Sequence, residues 1–132
     1  MNQDEKKLAE RLRKALAPHG HFQRIEPFND KGIPDVNYYT SRGEEFWLEL
    51  KARANKDLSI RIRKEQFAWG QKRSLLGGNV AVVAAHQDDP SRLVIHKFPF
   101  RETERKVLAS GIVVKRKHFY RMIEIDRLDE IL

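Results

Sequence analysis

Apolar and polar residues alternate in two runs between Gly32 and Ala52, and this alternation predicts two β-strands. A short turn at Ser41-Arg42-Gly43 joins them, because Gly43 can adopt a positive φ without steric cost. The alternation gives the hairpin one apolar face, formed by Val36, Tyr38, Phe46, Leu48 and Leu50. We therefore expect that face to pack on the protein core and the opposite face to be polar.

Two carboxylates and a lysine lie on the polar face of this hairpin. Asp35 and Glu49 are each seven residues from Arg42 at the centre of the turn, so the folded hairpin places them opposite each other. Opposed carboxylates have Cβ atoms about 4.5–5.5 Å apart and repel each other, and a hard divalent cation between their oxygens removes that repulsion. Lys51 shares the face of Glu49, about 6.6 Å further along the strand. The pattern indicates a magnesium or manganese site, and a solvated polar face on an ordinary hairpin is the alternative.

Helical spacing of apolar residues precedes the hairpin. Leu8, Leu12 and Leu16 recur at this spacing before Pro18, which predicts an N-terminal helix. The run from Val80 to Ala85 is continuously apolar, as expected for a central strand covered on both faces. In chain order we predict a helix over 4–17, a strand over 21–26, the hairpin, a helix over 63–76 closed by Gly77-Gly78, and strands over 80–85 and 93–95. This order predicts an α/β domain with a mixed central sheet flanked by helices.

Residues 98–132 are predicted to be a C-terminal extension of a core formed by residues 1–97, within one domain. The pattern indicates a helix from Arg101 to Ser110, a strand over 112–114, and a segment over 122–132 that starts as a strand and ends helical. The extension also holds aromatic residues in excess of what a small core needs, namely Phe98, Phe100, Phe119 and Tyr120. It is a candidate for DNA contact, for a dimer surface or for a cap on the sheet, and the pattern does not choose among these.

The charge of the chain favours an anionic polymer as its partner. The net charge is +7 and the pI is near 9.8, which does not distinguish DNA from RNA or from a membrane surface. The 132 residues suffice for one domain, and the lack of cysteine excludes a disulfide framework, a zinc–thiolate site and a thiol nucleophile. No apolar run reaches the ~18 residues of a membrane-spanning helix, and the N-terminus lacks the pattern of a signal peptide. We therefore expect a cytoplasmic protein that does not enter a membrane.

The motif Pro34-Asp35, followed by Glu49-Leu50-Lys51 at the end of an apolar strand, resembles the PD-(D/E)XK nuclease superfamily. The chain also contains the segments GIPDVNYY, FWLELKA, Arg63–Gln66 and LGGNVAVV in this order. This ordered set is similar to the VRR-NUC branch of the superfamily, and the resemblance covers residues 3–97. The resemblance implies a metal-dependent endonuclease with a restriction-endonuclease-like core, in the order helix, three strands, helix and strand. Small stand-alone members of the branch occur in phages, whose products would act in the host cytoplasm. Some are Holliday junction resolvases that act as homodimers.

The resemblance also implies roles for individual residues. Asp35, Glu49 and the backbone carbonyl of Leu50 would ligate Mg²⁺ or Mn²⁺, and Lys51 would position or activate the attacking water. Gln66, in the first turn of the second predicted helix, would point back toward the two carboxylates. The implied catalytic set is therefore Asp35, Glu49, Lys51 and Gln66.

Glu5 is a further candidate for the metal site. Nuclease folds of this superfamily draw an additional carboxylate from the inner face of the first helix, and Glu5 lies on the stripe of Leu8 and Leu12, whereas Glu10 lies on the opposite side. The alternative is that Glu5 serves only the positive N-terminal end of the helix.

Basic residues follow the predicted active strand directly. Such side chains would hold the DNA backbone on either side of the scissile bond, and a solvated charge run is the alternative. The candidates for nucleic-acid binding are Arg53, Lys56, Arg61, Arg63 and Lys64, with Lys115, Arg116 and Lys117 in the extension. Trp69 is either a core anchor or a platform on which a base stacks.

The sequence thus predicts a magnesium-dependent endodeoxyribonuclease, with branched DNA such as the Holliday junction as its substrate and a homodimer as its assembly. One alternative is a nuclease without junction preference. The other is a nucleic-acid-binding protein that kept the fold without the chemistry.

Overall fold

The computed structural model describes residues 1–25, 32–115, 121–124 and 127 of the chain. These ranges contain the α-helices α1 (Gln3–Leu16) and α2 (Lys64–Leu75). Their strands are β1 (Gly20–Arg24), β2 (Val36–Thr40), β3 (Glu45–Arg53), β4 (Ile60–Ile62), β5 (Asn79–Ala85), β6 (Arg92–Lys97), β7 (Arg105–Leu108), β8 (Gly111–Val114) and β9 (Arg121–Glu124). Within the ranges described, neither helix is long and apolar enough to cross a membrane.

Six of the strands form a mixed sheet in the order β1-β2-β3-β5-β6-β9. β3 and β5 pair in parallel, and the other neighbours pair antiparallel. The parallel pairing requires a crossover connection, which α2 provides between the end of β3 and the start of β5. Helix α1 packs on one face of the sheet and α2 on the other. The predicted α/β domain, with a mixed sheet between helices, is confirmed.

The alternation along β3 and β5 divides the apolar side chains between two cores. Leu48 and Leu50 of β3 pack with α1, whereas Val80 and Val82 of β5 pack with Phe67 of α2. Each fully buried side chain of this kind stabilises the fold by about 1.5–3 kcal/mol relative to an exposed one. Because α2 covers its side of the sheet, polar residues on the α2 face of β3 lie in a covered layer.

A second sheet of three strands, in the order β4-β8-β7, packs on the same side as α2. The sequence pattern does not predict β4, which has only three residues within a polar and basic segment. Its Ile60 and Ile62 are buried and alternate with the exposed Arg61. The short strand therefore anchors this segment in the core.

The predicted helix from Arg101 to Ser110 is wrong. The segment forms a single 3-10 turn and then β7, whose Arg105 pairs with Val114 of β8. β8 has β4 on one edge, and β7 supplies the backbone hydrogen bonds that its other edge requires. Arg105 also donates a hydrogen bond to the Phe100 carbonyl oxygen at 2.9 Å. Strand pairing therefore overrides the local helix propensity of the segment.

Two of the aromatic residues of the C-terminal extension are core residues. Phe98 and Phe100 are 3% and 1% exposed, and their ring centroids lie 4.9 Å apart. Of the alternatives that the sequence leaves open, packing on the core therefore holds for these two and a dimer surface does not, while Phe119 and Tyr120 lie outside the described residues. The predicted strand near residue 122 is present as β9, which pairs with β6 and extends the main sheet.

We expect Gly70→Ala to destabilise the protein by about 1–3 kcal/mol, although alanine is the better helix former. A Cβ at position 70 would lie 2.6 Å from the ring of Phe98, which is itself buried and cannot move aside. Urea unfolding followed by circular dichroism measures the change. The control is Ala68→Gly on the exposed side of α2, where helix propensity alone predicts a loss of about 1 kcal/mol. A Gly70→Ala protein at least as stable as the wild type would contradict the packing of Phe98 on α2.

Candidate active site

The β2–β3 hairpin brings Asp35 and Glu49 together. The strand register pairs Val36 with Leu48, and Asp35 and Glu49 are the next residues beyond that pair. The Leu50 backbone N–H donates a hydrogen bond to Asp35 Oδ2 at 2.9 Å, which holds this carboxylate against β3. The structure thus places the two carboxylates as the hairpin pattern predicts.

A glycine sets the path of the chain toward Asp35. Gly32 has a φ of 102°, which favours glycine, and a Cβ there would lie 2.4 Å from the Glu65 carbonyl oxygen. The segment before Asp35 therefore runs directly against the first turn of α2. The sequence shows Gly32 only as part of Gly-Ile-Pro-Asp, and the contact that requires a glycine becomes visible in the fold.

Gln66 connects α2 to Glu49. Its side-chain Nε2 donates a hydrogen bond to Glu49 Oε1 at 3.0 Å, and its Oε1 accepts one from the Arg63 backbone N–H at 2.8 Å. The same amide therefore caps the start of α2 and holds the carboxyl group. Both side chains are buried, so the amide has one orientation and fixes that of Glu49. This is the position that the resemblance implies for Gln66.

Glu49 is a buried acid with a strongly raised pKa. It is 3% exposed. Burial, followed by the effect of the adjacent Asp35, raises the pKa of Glu49 from 4.5 to about 10, against the opposing effect of the Lys51 and Arg63 charges. Its Oε2 has no hydrogen-bond partner within the described part of the chain. A buried carboxylate oxygen without a partner is costly, so this oxygen requires either a proton shared with Asp35 or a cation.

Two positive side chains act on Glu49. Lys51 lies two residues further along the same face of β3 and is half-buried, and Arg63 precedes the first turn of α2. The charges of both favour the ionised form of Glu49. The site therefore combines two adjacent carboxyl groups with two positively charged side chains. This combination suits the binding of an anionic phosphate next to a metal ion.

The structure gives Glu5 the role of a helix cap. Its Oε1 accepts a hydrogen bond from the Asn2 backbone N–H at 3.2 Å, and its own N–H donates to Asn2 Oδ1 at 2.8 Å, which forms a capping box. Among the described residues, no group of three or more His, Cys, Asp or Glu side chains is arranged to hold a metal ion. The ligand role of Glu5 therefore stays a prediction. Glu10 pairs with Arg13 on the exposed side of α1.

Exposed basic residues lie in the chain between the end of β3 and the start of α2. His96 Nε2 lies 2.6 Å from the Leu58 carbonyl oxygen and fixes the loop that carries Lys56. Arg61 Nη1 donates a hydrogen bond to Ser110 Oγ at 3.1 Å and joins β4 to the turn after β7. The exposed members of the predicted nucleic-acid-binding set are Arg53, Lys56, Arg61, Arg63, Lys64 and Lys115, whereas Arg116 and Lys117 lie outside the described residues.

Two solved structures are similar to this chain. One is Hjc from Archaeoglobus fulgidus, described as a Holliday junction resolvase from an archaeal hyperthermophile; it matches with a TM-score of 0.53 at 14% identity, over 95% of this chain and 99% of that one. The other is a VRR_NUC domain, with a TM-score of 0.55 at 17% identity, over 66% of this chain and 89% of that one. No family model matches the sequence, and no curated protein shows significant similarity to it.

Identities this low establish a shared fold and no more. In this chain the fold consists of a mixed sheet between helices, with the β2–β3 hairpin and the crossover helix α2 that leads from β3 to β5. The two similar structures show that the chain shares the fold of Hjc and of a VRR_NUC domain, which is a restriction-endonuclease-like α/β fold.

Proposed function

We propose that the protein is a magnesium-dependent endodeoxyribonuclease that hydrolyses phosphodiester bonds in branched DNA. The buried Glu49 carries this proposal: its Oε2 has no partner among the described residues, and Asp35 is adjacent to it. A protein that only binds nucleic acid has no use for such a pair, since adjacent carboxylates repel phosphate. A metal-dependent nuclease requires it.

A divalent cation fits the donors that are present. Asp35 and Glu49 offer carboxylate oxygens and Leu50 offers its backbone carbonyl, and hard cations prefer oxygen ligands of this kind. A cation at Glu49 Oε2 would satisfy an oxygen that otherwise has no partner. Mg²⁺ is usually bound by one or two carboxylates while waters and substrate phosphates complete its shell. The two-carboxylate site therefore suits Mg²⁺ or Mn²⁺, and Glu5 remains a candidate for a further ligand.

The side chains of the site have separate tasks in the proposed reaction. Gln66 holds Glu49 in one orientation, and Asp35 is held by the Leu50 N–H. The Lys51 ammonium positions the attacking water and neutralises negative charge that develops on the scissile phosphate. When bound, the cation would supply further charge stabilisation and a more acidic water.

The comparison with Hjc supports branched DNA as the substrate, and the charge supports a polyanionic partner in general. Hjc is described as a Holliday junction resolvase, and a net charge of +7 suits a polyanionic partner. The exposed cations at the end of β3 and the start of α2 would contact phosphates on both sides of the cleaved bond. Lys115 would extend this contact from the second sheet.

The proposal includes a homodimer. A junction resolvase cuts two strands of like polarity at positions related by symmetry, and a single 132-residue subunit with one site cannot do this without rebinding. A two-fold dimer presents two identical sites and matches the symmetry of the junction. Light scattering at moderate salt, with and without junction DNA, tests this. A monomer at micromolar concentration in both conditions would contradict the dimer and the resolvase activity, but not a simpler nuclease.

The direct test is cleavage of labelled four-way junction, flap, duplex and single-stranded DNA, first with Mg²⁺ and then with EDTA. We expect cleavage with Mg²⁺ or Mn²⁺, strongest on the junction, and binding with little turnover in Ca²⁺. Equal rates on all substrates would identify a nuclease without junction preference. Binding without cleavage in every metal would identify a non-catalytic nucleic-acid-binding protein, and full activity in EDTA would rule out the metal-dependent mechanism.

A further inference from the structure

The two tryptophans of the chain and one arginine form a cluster of contacting side chains. The ring centroids of Trp47 and Trp69 lie 5.2 Å apart in an edge-on arrangement. The Arg73 guanidinium carbon lies 4.5 Å from the Trp69 centroid and 5.5 Å from the Trp47 centroid. We refer to Trp47, Trp69 and Arg73 as the Trp–Arg cluster.

The Trp–Arg cluster lies next to the candidate active site. Trp47 precedes Glu49 by two residues on the same face of β3, which is about 6.6 Å along the strand. Trp69 follows Gln66 by three residues, which is about one turn along the same face of α2. Because Gln66 contacts Glu49 and Trp69 contacts Trp47, β3 and α2 remain adjacent over this distance. Arg73 follows Gln66 by seven residues, which is about 10.5 Å along α2. At about 3.4 Å per nucleotide, a DNA strand held at Glu49 would therefore reach the cluster within about two or three nucleotides.

The fold holds the arginine over the rings. A Cβ at Gly78 would lie 2.7 Å from Arg73 Cγ, so the lack of a side chain there leaves room for the arginine stem. The Trp47 indole N–H donates a hydrogen bond to Glu45 Oε1 at 3.0 Å, which fixes that ring. Throughout the described part of the chain, no carboxylate forms an ion pair with Arg73. Its charge therefore remains available to a ligand.

The cluster opens onto solvent at a shallow depression. The depression has a volume of about 310 Å³ and is lined by Trp69, Lys72, Arg73 and Leu76. Both tryptophans are half-buried, so part of each ring system packs on the core and part remains accessible.

Aromatic faces beside positive charges match the chemistry of an unpaired nucleotide. Bases stack on indole rings and on the guanidinium plane of arginine, and each stacked base contributes roughly 1–3 kcal/mol to binding of a single strand, as alanine substitution measures it. A lysine beside the stack suits the adjoining phosphate. Bases inside a duplex are already stacked on each other and cannot present a face to the cluster. The two cations favour nucleic acid over an apolar protein segment as the occupant.

We propose that the Trp–Arg cluster binds an unpaired nucleobase of the DNA, with Lys72 at the adjoining phosphate. This inference rests on the proposed nuclease function and adds to it a preference for DNA that has unpaired bases beside the cleaved bond. It also assigns to Trp69 both of the roles that the sequence leaves open, because one part of the ring packs on the core and the other part stacks.

Tryptophan fluorescence tests the inference, since both tryptophans of the protein belong to the cluster. The full chain in EDTA is titrated with an oligothymidine strand, with a strand of equal length that has abasic sites, and with a blunt duplex. We expect the thymidine strand to quench tryptophan emission along its binding curve. The abasic strand, which retains the phosphates, should bind at least about 5-fold more weakly and leave the emission unchanged.

Variants of Arg73 separate stacking from charge. Arg73→Ala should weaken binding of the thymidine strand at least about 5-fold and affect the abasic strand much less. Arg73→Lys keeps the positive charge but lacks the guanidinium plane. Relative to Arg73→Ala, it should therefore restore only the affinity that comes from the phosphates, which both strands have. Lys7→Ala is the charge-matched control because Lys7 is exposed on α1, on the opposite side of the sheet. It should change binding of both strands equally and slightly.

Specific results would overturn the inference. Equal affinity for the thymidine and abasic strands, with unchanged emission, would exclude stacking and leave the nuclease proposal intact. If Arg73→Ala lowered the affinity for both strands equally, Arg73 would contact only phosphate, and the proposed stacking on its guanidinium would be wrong. Failure to bind any of the three DNAs would contradict the inference and the proposed function together. If the protein self-associated, if Leu76→Ser abolished this self-association, and if no DNA changed the tryptophan emission, the surface would instead be a contact between protein chains.

Discussion

Asp35→Asn is expected to lower the rate of DNA cleavage on the order of 10³-fold while DNA affinity stays equal or rises. The substitution removes a carboxylate from the proposed cation site and a negative charge from the neighbourhood of the phosphates. It does not remove the local structure, because an asparagine oxygen can still accept the hydrogen bond that the Leu50 N–H donates at 2.9 Å. Single-turnover cleavage and filter binding, with labelled junction DNA, measure the two effects separately.

Lys51→Ala is the companion variant, and Glu44→Gln is the matched control. Lys51→Ala should also abolish cleavage, but divalent-cation binding should persist because both carboxylates remain. Glu44 lies exposed in the turn of the same hairpin, where it pairs with Arg42. Removing its charge should leave cleavage unchanged. If Asp35→Asn or Lys51→Ala cut DNA at the wild-type rate, the assigned site would be wrong.

Glu49→Gln is expected to make the metal-free protein more stable at and above neutral pH. The pKa of Glu49 is raised from 4.5 to about 10 in the folded protein, so the folded state binds a proton that the unfolded state has lost. The stability that protonated Glu49 contributes is fully present below about pH 4.5, and it is lost as the pH rises toward about 10. Linkage sets this loss at roughly 1 kcal/mol per pH unit within that window. Glutamine does not titrate, so Glu49→Gln should remove this part of the pH dependence.

Urea unfolding in EDTA at several pH values between about 5 and 9 measures the effect, with Glu44→Gln as the control. Mg²⁺ or Mn²⁺ should then stabilise the wild type increasingly as the pH rises, because a cation replaces the proton at the carboxyl pair. The same cations should stabilise Glu49→Gln far less. Identical pH profiles for wild type and Glu49→Gln would show that Glu49 is not the buried acid of the metal-free protein.

The β2–β3 hairpin could be predicted from the sequence because its determinants are local. Alternating residues, a turn glycine and equal arm lengths all lie within residues 32–52, and the observed register of Val36 with Leu48 follows from them. The placement of Asp35 beside Glu49 is a direct consequence. The helices were predictable for the same reason, since helical spacing and capping residues lie next to each other in the chain.

The second sheet could not be predicted in the same way. β7 lies in a segment with good helix propensity, and β4 has only three residues in a polar run. Both form because β8 between them requires backbone partners on each edge. That requirement depends on chain segments up to about fifty residues apart, such as Arg61 and Val113. A pattern of neighbouring residues therefore cannot predict which segments pair with β8.

The sequence by itself determined the α/β class, the hairpin and the identity of the carboxylates and the lysine on its polar face. Only the tertiary structure determined the burial, the pKa and the hydrogen-bond partners of those groups. Glu49 became a buried acid because α2 covers its side of the sheet and Gln66, 17 residues away in the chain, engages its Oε1. Trp47, Trp69 and Arg73 likewise became one surface only when α2 packed on β3. Side-chain identity is a local property, whereas burial, pKa and shared surfaces arise from contacts between distant segments.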